Sequence, residues 1–141
     1  IALAMIESGV DVLQTDAGNS QIGVIEAAMD KGVLVSGDVA DNSAMYPEGF
    51  IGFVGVDFGA NVYEACKYLS EDAFPGGTHG FMNLANNGYY IPYEALEKFG
   101  AANTKYSTAV TEAITLAKEL SAKIASGELE VEFNTEVPVK E

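Results

Sequence analysis

Apolar runs of strand length alternate along this chain with stretches whose apolar residues recur at helical spacing, and that alternation narrows the fold more than any single motif. The run VDVLQ leads through a turn containing Gly and Asn, TDAGNSQIGV at 15–24, into IGVIEAAMDKG. The pattern predicts a helix over 1–8, a strand over 10–16, a helix over 20–31 and a strand over 33–38. The loop DVADNSAMYPEG then separates these from a strand, FIGFVGVDF, over 50–58. A helix over 59–71 offers Ala60, Tyr63, Ala65, Cys66 and Leu69 for burial, and FMNLAN at 81–86 reads as a short strand or extended segment ending in NNGYY. Pro92 opens a helix, PYEALEKFG, closed by Gly100. A long amphipathic helix over 104–127 stops at Gly127, and ELEVEF alternates as a terminal strand. Strands alternating with helices in this way build an α/β fold, a parallel sheet flanked by helices.

Such sheets hold ligands outside the carboxyl ends of their strands. The segments expected there are 14–20, 37–42, 56–57 and the NNGYY region, which place Gln14, Asp16, Asn42 and Asp57 near one rim. Gly18 and Gly23 copy the two glycines of a P-loop, but Val24 and Ile25 stand where its Lys and its magnesium-binding hydroxyl belong. The dinucleotide fingerprint fails as well, because Ser20 replaces its second glycine. What remains is a helix N-terminus capped by Asn19 or Ser20, able to dock a polar group. Gly18 and Asn19 fit a plain tight turn equally well.

Charge and residue usage remove several classes of function. The net charge is −14, with seven Lys and no Arg. A nucleic-acid backbone is repelled by that surface, and an anionic ligand has to rely on backbone amides. The single cysteine, Cys66, excludes an intrachain disulfide and a cysteine-rich zinc site, and its setting predicts a small buried side chain. His79 is the only histidine, so no two-His metal site forms, and a loop-packing role is expected for it. DVADNS lacks the spacing of a calcium loop. No metal or cofactor is expected. Asp38 and Asp41 fit acid–base work as a carboxylate pair, acceptance of ligand hydroxyls, or the shaping of a loop. Tyr89, Tyr90 and Tyr93 offer either a stacking face or core and interface packing. No apolar run approaches the roughly 20 residues that span a bilayer. Residues 1–13 lack the basic start and cleavage pattern of a signal peptide. With no initiator Met, the chain is expected to begin inside a larger protein.

The order of motifs resembles the basic membrane protein, or PnrA-like, substrate-binding lipoproteins of ABC transporters. SGVDVLQTDAGNSQIGVIEAA resembles the family's "GADVVFQAAGGTGLGVFQAA", SGDVADN its "IGVDSDQ", and PEGFIGFVGVD its "P..VLTSVVK". No gap is required from Gly37 to Val56, and KIASGELEVEFNTEVP is similar to the closing "KI.SGEI.VP". The resemblance implies a type 1 periplasmic-binding-protein fold with two α/β lobes. This chain then supplies most of the C-terminal lobe as a single unit, with the hinge strand and the helix after it, and lacks the N-terminal lobe. It also implies an extracytoplasmic lipoprotein, an ABC permease as partner and a nucleoside as ligand. The family's aromatic against the base, aspartate on the ribose and lysine on the ribose carry over to Leu13, Asp41 and Val56. Only the aspartate is retained. Asp16 replaces a small residue, and two carboxylates with no local cation favour a neutral hydroxyl-rich or a cationic ligand over an anion.

Three readings follow. The first is a solute-binding component of an uptake transporter, performing no chemistry and holding its ligand with Asp41, Asn42, Gly18, Asn19, Ser20, Asp16, Gln14 and Asp57. The second is a ligand-sensing regulatory domain of the same fold. The third is a small α/β enzyme using Asp38 or Asp41 as base. Open sheet edges also make a homo-oligomer of this chain an expected arrangement.

Overall fold

Three strands run in parallel at the centre of the computed structural model, which describes residues 1–77 and 82–132. They are β1 (Val12–Gln14), β2 (Leu34–Asp38) and β3 (Phe50–Val56); a fourth, β4 (Tyr89–Tyr90), pairs antiparallel with the end of β3. The strand order is β1-β2-β3-β4. The helices are α1 (Ala2–Glu7), α2 (Gln21–Lys31), α3 (Phe58–Ser70), α4 (Tyr93–Ala102) and α5 (Ser107–Ser126). Sequence periodicity thus locates the main helices and the three parallel strands, and the α/β class stands.

Strand alternation divides the apolar residues between two layers. Leu13, Val35 and Phe50 pack with Ile25 and Ala28 of α2 and with Tyr46, while Ala2 and Ile6 of α1 close the edge of that cluster. Their strand neighbours Leu34 and Ile51 face the other way, against Phe99 of α4 and Val110 and Ile114 of α5. Phe50, Leu13, Ile25 and Val35 are the largest fully buried side chains. Each is worth about 1.5–3 kcal/mol relative to exposure.

One irregularity re-aims a side chain. Val35 pairs with Phe50 but Ser36 with Gly52, so β3 carries an extra residue at this point. Gly52 takes a φ of 139°, which a residue with a Cβ rarely adopts. The bulge brings Phe53 round to the side of Phe50, their ring centroids 6.5 Å apart.

Several expectations are corrected. The strand over 10–16 is paired only at Val12–Gln14, and α2 has no side-chain cap from Asn19 or Ser20. A 3-10 turn, Gly18–Ser20, leads into that helix instead, with the Ser20 amide donating to the Ala17 carbonyl at 3.0 Å. Gly100 does not end α4. It is buried inside the helix, where a Cβ would stand 3.0 Å from Val110 Cγ1, so its absence lets α5 approach closely. Residues 82–86 form turns rather than a strand, tied by amide-to-side-chain bonds between Asn83 and Asn86 at 3.0 Å each way. Residues 128–132 of the ELEVEF segment form no strand; the Leu129 amide turns back to the Lys123 carbonyl at 3.1 Å and closes α5 behind Gly127. His79 and Phe81 lie outside the described residues.

The largest correction concerns α3. None of its residues is buried, Cys66 is exposed, and Phe58, Val62 and Leu69 lie on the same face as Cys66. Among the described residues no element covers that apolar stripe.

Candidate ligand-binding site

Because β1, β2 and β3 are parallel, the segments leaving their carboxyl ends share one edge of the sheet. Gln14 ties the first two ends together. Its Nε2 donates to the Gly37 carbonyl at 3.3 Å, and its Oε1 accepts from the Ser36 hydroxyl. Gln21 ties α2 to β2. Its Nε2 donates to the Asp38 carbonyl and its Oε1 accepts from the Asp38 amide, both at 3.2 Å. Gly37 leaves room for this arrangement, since a Cβ there would meet Gln21 Oε1 and Phe50 Cζ at 3.0 Å. The sequence reading missed Gln21. Its signal is a polar residue in register with Ile25 and Ala28 on the buried face of α2.

Asp16 and Asp38 share a hydrogen bond. Partial burial, then the bond to Asp16 and the charge beside it, raise the Asp38 carboxyl above its ordinary range. Immediately after Asp38 the chain bends through Val39, which has a φ of 59°. A left-handed conformation costs a residue with a Cβ about 1–2 kcal/mol. The Val39 amide is held by the Val54 carbonyl at 2.9 Å.

Beyond that bend stands Asp41. Its Oδ1 accepts from the Ser43 amide at 2.9 Å, and Lys98 Nζ of α4 lies 3.4 Å from its Oδ2. The bonding at Ser43, reinforced by the nearby Lys98 charge, holds the Asp41 carboxyl below its ordinary range despite some desolvation. The carboxylate is therefore a fixed, ionised acceptor. It lines a cavity of about 470 Å³ together with Phe53, Tyr90, Tyr93 and Glu94. That volume lies within the range of small-molecule sites, roughly 300–1,000 Å³. The expectation that no cation stands near the carboxylates is corrected, because Lys98 comes to Asp41 from 57 residues along the chain.

The other candidates fall around this centre. Asn42 folds back, its Nδ2 donating to the Ala40 carbonyl at 3.3 Å. Gln14, Asp16 and Ser20 line a second cavity, about 340 Å³, beside Ala2 and Met5 of α1. Gly18, with a φ of 51°, and Asn19 form the turn below it. Asp57 caps α3, its Oδ1 accepting from the Ala60 amide at 2.9 Å. Leu13 is 2 % exposed and belongs to the core, and Val56 is half-buried in β3. Another cavity, about 440 Å³, is lined by α4 and α5 without any strand-end residue.

The chain matches one family model, described as ABC transporter substrate-binding protein PnrA-like (Bmp), over residues 1–131. No curated protein matches it.

Proposed function

This chain belongs to the PnrA-like family of ABC transporter substrate-binding proteins, and from that premise we propose that it grips one side of a nucleoside-like solute and releases it unchanged. The family implies a small-molecule ligand, an ABC permease as partner in the full protein, and an extracytoplasmic setting. The four-stranded, mostly parallel sheet between helices is consistent with a periplasmic-binding-protein fold. No helix among the described residues is long and apolar enough to cross a membrane. A lipid anchor upstream of this segment is part of the proposal.

The observation that carries the reading is Asp41. An ionised acceptor fixed by the Ser43 amide, at a cavity beyond the carboxyl end of β2, suits a ligand hydroxyl. Asn42 beside it, and Gln14, Asp16, Gly18, Asn19 and Ser20 on the neighbouring strand end, are the proposed outer contacts; Asp57 contributes by setting the start of α3. The chain supplies one lobe, and the apolar stripe on α3 docks against the other, N-terminal lobe. A second copy of this chain on the same stripe is the competing occupant.

The Asp16–Asp38 pair favours the enzymatic alternative, since two neighbouring carboxyls, one of them raised above its ordinary range, resemble an acid–base arrangement. One experiment separates the two readings. Native mass spectrometry of the full-length protein, incubated with purine nucleosides and hydroxylated metabolites, is expected to return a one-to-one complex whose ligand has its original mass. A ligand recovered cleaved or otherwise altered overturns the receptor reading.

A further inference from the structure

We propose, resting on the reading that Asp41 contacts the solute, that Lys98 is the second hydrogen-bonding arm of the site and that Phe53 and Tyr90 form its ring-binding wall. Of the three, the sequence offered only Tyr90, as part of a stacking face; nothing in it points to Lys98 or Phe53. They reach Asp41 from α4, from the bulged part of β3 and from β4.

Lys98 has the geometry for the role. Its Nζ stands 3.4 Å from Asp41 Oδ2, longer than a tight charge-assisted bond, and the two side chains are 59 % and 41 % exposed. An ammonium carries three donors, so the bond to Asp41 leaves others to offer. A carboxylate beside an ammonium presents an acceptor and a donor side by side. Two adjacent hydroxyls match that pair, one donating to Asp41 and the other accepting from Lys98.

The wall has a comparable structural basis. The bulge at Gly52 turns Phe53 to the side of Phe50, and Phe53 lines the same cavity as Asp41. Tyr90 lies across β3 at Gly55, its backbone partner in the ladder. A Cβ on Gly55 would stand 2.4 Å from carbons of the Tyr90 ring, so the glycine is the seat on which that ring rests. Tyr93 is engaged elsewhere, because Lys118 Nζ lies 5.0 Å from its ring centroid and occupies one of its faces. The cavity thus presents Asp41 and Glu94 with two aromatic side chains, and Lys98 stands beside Asp41 at its edge, a set that fits a molecule having a flat ring and neighbouring hydroxyls.

The test is calorimetric titration of the full-length protein with adenosine, guanosine and inosine, and with the 2′,3′-dideoxy form of whichever binds tightest. Lys98→Met is expected to weaken the ribonucleoside about tenfold or more and the dideoxynucleoside by less than about twofold. Tyr90→Ala, Phe53→Leu and Gly55→Ala are expected to weaken both compounds, by about fivefold or more for Tyr90→Ala. Gly55→Ala retains the tyrosine and only displaces its ring, so a loss there reports the position of the wall. Melting temperatures of all variants identify any that fail to fold. Unchanged ribonucleoside affinity in Lys98→Met, or equal losses for both compounds, overturns the second arm. Unchanged affinity in Tyr90→Ala and Gly55→Ala overturns the wall. Wild-type protein that binds no nucleoside overturns the nucleoside reading itself, and this proposal with it.

Discussion

Asp38 and Asp41 lie three positions apart in the sequence, and their surroundings move their carboxyls in opposite directions. Partial burial and the neighbouring Asp16 raise Asp38 above 3.8, while Ser43 and Lys98 lower Asp41 below it. The signs for stability follow from linkage. Between 3.8 and its raised folded value, Asp38 holds more proton in the folded chain than in the unfolded one, so stability falls as pH rises through that window. Asp41 does the reverse: its contribution is present above 3.8 and is lost as pH falls through its lowered folded value. Asp38→Asn keeps a hydrogen-bonding partner for Asp16 and removes the titration. The variant is expected to melt above wild type at about pH 7, with the difference shrinking as pH approaches 3.8. Thermal melts across that range check it, and a variant that melts below wild type at neutral pH contradicts the assigned environment. Little of this was legible in the sequence. GDVADN shows two carboxylates in a loop, but neither the left-handed Val39 between them nor the arrival of Lys98 leaves a mark in a motif.

Periodicity made the order of helices and parallel strands readable, because an amphipathic stripe and an apolar run follow directly from what each element buries. Events at element ends were less readable. The turn before α2 was expected to end in a side-chain cap and instead forms a 3-10 turn, and Gly100 reads as a stop but serves as a gap for Val110. Helix α3 shows a different limit. Ala60, Tyr63, Ala65, Cys66 and Leu69 were read as its residues for burial, yet none is buried, and Phe58, Val62, Cys66 and Leu69 form an exposed apolar stripe. An apolar stripe reports that a face needs cover without identifying the cover. If α3 docks on the N-terminal lobe, Cys66 in the folded full-length protein should react slowly with a thiol reagent and speed up on denaturation. Peptide mapping after timed labelling reads this out. Labelling of Cys66 as fast as in denatured protein contradicts the docking.

Taken whole, the described residues form a three-layer α/β unit whose strand ends converge on a polar rim. The rim holds two neighbourhoods, one around Gln14, Asp16 and Ser20, the other around Asp41. The parallel sheet explains why segments distant in sequence share that edge. Family membership supplies the reason to expect a solute there, and Asp41 is its proposed contact. Lys98 places an ammonium beside Asp41. The most direct test is the affinity of Asp41→Ala for a purine nucleoside, measured by calorimetry on the full-length protein. Losing a hydrogen bond to a charged group is worth about 1.5–3 kcal/mol. Affinity is therefore expected to fall about tenfold or more, with the melting temperature little changed. Affinity equal to wild type would remove Asp41 from the site and contradict the account at its centre.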